Sequence, residues 1–97
     1  MKIFKDPALL EEVDILDLGI VPAGTTKEYV FYVQNDEPAL LVDLEFKIDH
    51  KEVKIITYPK QLEPLEVGEL RLTWTPSVTV KQGLRTSLQV TGKELWS

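Results

Sequence analysis

Leu70, Leu72 and Trp74 alternate with Arg71, Thr73 and Thr75, and Pro76 ends the run. This period of two, repeated along the chain, constrains the fold more than any other feature. It puts apolar side chains on one face of a strand and polar ones on the other, whereas a helix needs apolar recurrence every three to four residues. Val42, Leu44, Phe46 and Ile48 alternate in the same way with Asp43, Glu45 and Lys47, which reads as a half-buried antiparallel strand. Tyr29, Phe31 and Val33 alternate with Val30, Tyr32 and Gln34, giving a strand apolar on both faces. Leu84, Thr86, Leu88 and Val90 share one face while Arg85, Ser87 and Gln89 point away. Val13 to Leu18 and Val53 to Tyr58 add two further apolar runs.

Turn chemistry separates these runs. Ile20-Val21-Pro22-Ala23-Gly24 reads as a bend and Asn35-Asp36-Glu37-Pro38 as a turn. Asp49 to Glu52 looks like a hairpin loop, and Pro59 to Gly68 like a surface connection. The helical signal is confined to Pro7 to Glu12, one turn at most, with Asp6 placed to cap it. The expectation is an all-β, immunoglobulin-like antiparallel β-sandwich of six to seven strands over 13–92, with a short N-terminal arm, 1–12, and a C-terminal tail, 93–97.

A chain of 97 residues makes one domain and buries roughly two-thirds of its unfolded surface. Lysine and arginine number 11 against 16 acids, a net charge of −5, with the positives dispersed. That balance argues against nucleic acid and against an anionic membrane surface as the main ligand. No apolar run reaches the length of a membrane span, so no membrane insertion is expected. The start, MKIFKDPALLEEVD, turns acidic too early for a signal peptide, which points to a cytoplasmic or virion setting. The lack of cysteine fits a reducing compartment.

The run Leu16-Asp17-Leu18-Gly19-Ile20-Val21-Pro22-Ala23-Gly24 carries an acidic residue, an apolar residue and Gly before a V-P-x-G turn. Phe31 to Asn35 is followed by Pro38-Ala39-Leu40, and Pro64-Leu65-Glu66-Val67-Gly68-Glu69 leads into a strand closing on Trp74-Thr75-Pro76. In this order and spacing the chain resembles hydin-type ASH domains and their major-sperm-protein-like relatives. The resemblance covers roughly residues 13–92 and implies an immunoglobulin-like sandwich that binds and scaffolds without catalysis. A freestanding sandwich with two apolar ends is also similar to small accessory subunits of large assemblies, such as the decoration and tail-associated proteins of phage virions.

Catalytic chemistry finds little support. His50 is the one histidine, in a loop among Asp49, Lys51 and Glu52, with no nucleophile arranged beside it. Ser77, Ser87 and Ser97 lack a nucleophile elbow. Acids such as Asp14, Asp17, Asp36, Glu37, Asp43 and Glu45 form no calcium loop, and one histidine without cysteine leaves zinc too few ligands. Gly19 and Gly24 form no phosphate loop. Carboxylate pairs arise by chance among so many acids, and a chain this short offers no cleft for a sugar. No enzyme activity, cofactor or metal is expected.

Binding candidates are apolar residues out of place. Val30 and Tyr32 lie on the supposed solvent face of their strand, either covered by the arm through Phe4 or Leu9 or open to a partner. Leu41 and Tyr58 are weaker candidates of the same kind. Leu95 and Trp96 either extend the last strand over one end of the sandwich or form a contact for another chain. The strand from Leu84 to Thr91 has no proline and little charge, so its edge is open to strand addition. The expected partner is a protein, by self-assembly in a large particle or, alternatively, by capture of a peptide on an edge or groove. Carbohydrate ranks last, since only Tyr32, Tyr58 and Trp96 are free to stack on it.

Overall fold

Residues 1–96 are described by a computed structural model, and among them there is no helix. Eight strands run in chain order: β1 Lys2–Phe4, β2 Leu16–Gly19, β3 Lys27–Gln34, β4 Leu40–Ile48, β5 Val53–Thr57, β6 Val67–Trp74, β7 Leu84–Thr86 and β8 Leu88–Leu95. All pairings are antiparallel. One layer is a four-stranded sheet with order β1-β3-β6-β5, and the other is made of the pairs β2-β7 and β4-β8. Only Ser87 separates β7 from β8, so one run of chain serves β2 with its first part and β4 with the rest.

The inward residues of both layers make one core. Leu70, Leu72 and Trp74 on β6 are buried, as are Phe31 and Val33 on β3, as their alternation predicts. Leu16, Leu18, Val21, Leu44, Phe46 and Val53 complete the cluster from the other elements. Tyr29 is half-buried, and its hydroxyl donates to the Leu18 carbonyl across the layers. Burial of the Tyr29 phenol raises its pKa, and the nearby Asp17 charge adds to the shift. The Trp74 indole N–H is buried without a partner.

Three expectations change. First, β4 does not alternate cleanly, because it carries a β-bulge: Val42 faces Lys93 and Glu45 faces Thr91, so Asp43 and Leu44 together oppose Gly92. Asp43 takes a left-handed φ of 51°, and the extra residue reverses the alternation. Leu41 therefore faces inward before the bulge and Leu44 and Phe46 after it, so Leu41 is core and not a surface candidate. Gly92 fits beneath the bulge, where a Cβ would lie 2.8 Å from Leu44 Cδ2 and 3.1 Å from the Val42 carbonyl oxygen.

Second, Asp49–Glu52 is not a hairpin loop. β4 and β5 belong to different layers, and the turn, closed by Val53 N–H to the His50 carbonyl at 3.1 Å, carries the chain between them. Third, the connection from Pro59 to β6 is more than surface. Leu62 is buried and forms a bridge with Leu41, their N–H groups donating to each other's carbonyls at 3.0 and 2.9 Å.

The arm residues also find places. Lys2–Phe4 pair with Tyr32–Gln34 as the edge of the four-stranded sheet. The chain then turns back on itself: the Asp6 carboxylate accepts the N–H groups of Leu10 and Glu11, and Leu9 sits in the left-handed region with φ 59°. Hydrogen bonding from Glu11 N–H, the largest influence, holds the Asp6 carboxyl below its usual range. Residues 11–13 run back along β1, with Val13 N–H donating to the Ile3 carbonyl at 2.8 Å.

Candidate interaction surface

One buried polar side chain organises the end of the sandwich where the binding candidates gather. Asn35, fully buried after β3, donates from Nδ2 to the carbonyls of Ala39 and Leu62, both at 2.9 Å, and accepts from Glu37 N–H at 2.9 Å. Its backbone bonds to Glu66 and Leu65. Every polar atom of its amide is thus engaged, except that Oδ1 accepts once. The turn from Asn35 to Ala39 is thereby fixed against the connection at residues 62–66. Beside it the Met1 ammonium lies 2.7 Å from Asp36, and that bond is the main cause of the lowered Asp36 pKa.

A groove of about 370 Å³ opens between the edge strands of the two layers. Met1 and, from β1, Ile3 line it, with Leu41 and Leu44 from β4 and Leu88, Val90 and Gly92 from β8. Glu37 and Glu94 stand at one end, both exposed, and neither makes an ion pair among the described residues. Among the described residues, β8 has β4 as its only strand neighbour. Its outer edge therefore runs beside this groove with no strand along it among the described residues. Past Glu94 a second hollow of about 270 Å³ is lined by Pro38, Leu40, Glu63, Pro64, Leu95 and Trp96.

The sequence candidates fall into three groups. Leu95 and Trp96 are 53% and 66% exposed, with Leu95 closing the β8 pairing opposite Leu40. Phe4, Val30 and Tyr32 share the outer face of the four-stranded sheet: Phe4 lies opposite Tyr32 and is buried, while Val30 and Tyr32 are half-buried. Arg71 stands opposite Val30 on that face and bridges Glu28 at 3.1 Å and Glu69 at 3.0 Å. Tyr58 lies apart from both, exposed, with its ring 5.5 Å from that of Phe46.

The groove residues Met1, Ile3, Glu37 and Glu94 were not candidates from sequence. They come together only through the pairing of the two layers. The one legible signal was the proline-free run from Leu84 to Thr91, which carries little charge.

Chemical machinery is sparse among the described residues. His50 Nδ1 accepts Glu52 N–H at 3.2 Å, so its imidazole shapes the turn. The Glu52 carboxylate accepts Ser77 N–H at 2.9 Å, and hydrogen bonding from the Ser77 side chain, followed by that from its N–H, holds its pKa low. No three His, Asp or Glu side chains converge as a metal site among the described residues. No family model matches this chain, and neither does any curated protein or solved structure with which it was compared.

Proposed function

We propose that this chain is a non-enzymatic protein-interaction module that accepts an extended segment of a partner along the open edge of β8. The observation that carries the reading is that edge, unpaired over a strand of eight residues and flanked by an apolar groove. An immunoglobulin constant-type sandwich has one sheet in the order A-B-E-D and another in the order C-F-G. On an immunoglobulin-like reading, β1-β3-β6-β5 takes the part of A-B-E-D and β4-β8 that of C-F. The place of G on that reading, beside F and facing A, falls at the groove, which supports strand addition there. Strand addition there supplies main-chain hydrogen bonds for affinity and alternate side-chain pockets for specificity. The resemblance to ASH and major-sperm-protein-like domains supports the same class of function.

The test supplies the strand in cis. A short Gly/Ser linker after Ser97 followed by a Thr-Val alternating segment should raise the melting temperature and slow amide exchange along Leu88–Leu95. The control replaces every second residue of that segment by Pro. Identical stability and exchange in fusion and control would show that the edge accepts no strand.

A second reading rests on a different observation, the exposure of Leu95 and Trp96 beside Pro38 and Pro64. On that reading the chain is a small accessory subunit of a large homomeric assembly such as a phage virion, and this apolar end is the contact. Light scattering on the intact chain and on Trp96→Ser distinguishes it. An assembly lost in the variant favours this reading, and two identical folded monomers remove it.

A further inference from the structure

We infer that the segment accepted along β8 is basic at one end and apolar at alternate positions thereafter, with Lys or Arg meeting Glu37 and Glu94. This rests on the strand-acceptor reading above and adds the chemistry of the occupant.

The groove is graded along its length. Toward the start of β8 its lining is aliphatic, from Leu88 and Val90 on one wall and Ile3 opposite. Toward the far end Gly92, Glu94 and Glu37 join Leu44 and Leu41, and the two carboxylates enter the lining. The local cations are directed elsewhere: the Met1 ammonium bonds Asp36, Lys2 also acts on Asp36, and Lys93 approaches Asp43. An incoming strand would therefore find apolar surface for two successive inward residues, then two carboxylates without counter-charge.

Antiparallel addition matches every other pairing in the fold, and it places the first residues of the incoming strand at Glu94. The chemistry also argues against a second copy of this chain as the occupant. The β8 residues that line the groove are Leu88, Val90, Thr91, Gly92 and Glu94, which include no cation. An antiparallel second β8 would set its Leu88 at the two carboxylates and its own Glu94 against the aliphatic end, leaving these carboxylates all without counter-charge between chains that each carry a net charge of −5.

Two synthetic peptides decide the matter. Both carry the same Thr-Val alternation over about eight residues, one with Lys and the other with Glu at the two inward positions nearest its N-terminus. Each is titrated against the full chain by fluorescence anisotropy at low and high salt, with exchange protection recorded on β8. The Lys peptide should bind roughly tenfold tighter at low salt, since two exposed ion pairs supply only modest energy, and the gap should shrink as salt rises. The double variant Glu37→Lys/Glu94→Lys, checked for an unchanged melting temperature, should reverse the preference.

Equal binding of both peptides overturns the charge inference while leaving strand acceptance in place. Failure of both peptides alongside a stabilising strand in cis overturns the inference alone. Failure of both the peptides and the cis strand removes the acceptor reading as well. A dimer that protects β8 and resists the Lys peptide overturns it in favour of a second copy.

Discussion

Replacing Asn35 by Ala removes three hydrogen bonds, two within the turn after β3 and one that joins it to the connection before β6. The three partners do not suffer equally. The Leu62 carbonyl keeps the Leu41 N–H at 3.0 Å, and the exposed Glu37 N–H can turn to water. The carbonyl of Ala39, itself buried, loses the donor that Asn35 supplied. An unsatisfied buried acceptor costs about 1–3 kcal/mol and each of the other lost bonds about 0.5–1 kcal/mol, so the variant should lose about 3 kcal/mol. For a domain of this size that is a fall of roughly 12–24 °C in melting temperature. Urea unfolding followed by tryptophan fluorescence should show the same loss as a shifted midpoint with an unchanged slope. Asn35→Asp provides the sharper comparison, because it keeps the shape and turns both donor contacts into oxygen facing oxygen. At neutral pH it should be less stable than the Ala variant. A loss below about 1 kcal/mol for Asn35→Ala, or an Asp variant as stable as the parent, would refute the assignment of this amide as the fastening of that end.

Trp74→Phe should cost less than about 2 kcal/mol, because it removes a buried N–H that has no partner, while Trp74→Ala should cost about 3–5 kcal/mol, both measured by urea unfolding. Gly68→Ala should be more damaging than Gly92→Ala. At Gly68 the new Cβ lies 2.7 Å from a Pro59 ring carbon, which cannot swing away, whereas at Gly92 the nearest atom is the end of the flexible Leu44 side chain. Asp43→Gly relieves the left-handed backbone at the bulge and should stabilise by about 1 kcal/mol, read from the thermal midpoint. Asp6, Asp36 and Glu52 all have lowered folded-state pKa values, so the unfolded chain binds more protons as the medium becomes acid. Their stabilisation is complete above the ordinary values of 4.5 for Glu52 and 3.8 for the two aspartates, and it is lost as pH falls through the folded values. Glu52→Gln should make the acid limb of a stability-against-pH curve shallower.

The fold class was legible because β3 and β6 obey simple alternation: Phe31, Val33, Leu70, Leu72 and Trp74 are buried where a period of two puts them. β4 shows where that reasoning ends. One extra residue at Asp43–Leu44 changes the parity of everything before it, and nothing in Leu40-Leu41-Val42 distinguishes the inward leucine from its neighbours. The turn at Asp49–Glu52 has the same composition whether it joins paired strands or crosses between layers, so only the pairing partners separate the two cases. The groove was legible in part. The character of the β8 edge is local, but its opposite wall comes from Met1 and Ile3, some 90 residues away in sequence, and that juxtaposition has no local signature.

The sharing of one run, Leu84 to Leu95, between β2 and β4 bears on how the molecule assembles in time. Among the described residues, neither β2 nor β4 pairs with any other strand. Sheet β1-β3-β6-β5 closes using residues 2–74, whereas the second layer remains two solitary strands until that run arrives. Such late, long-range closure belongs to the slow end of folding rates, and it leaves apolar strand surface exposed meanwhile. A protease cut or a proline placed after Gly83 would then release both pairs at once. The half-built species that results is the form in which this protein would be most prone to aggregate.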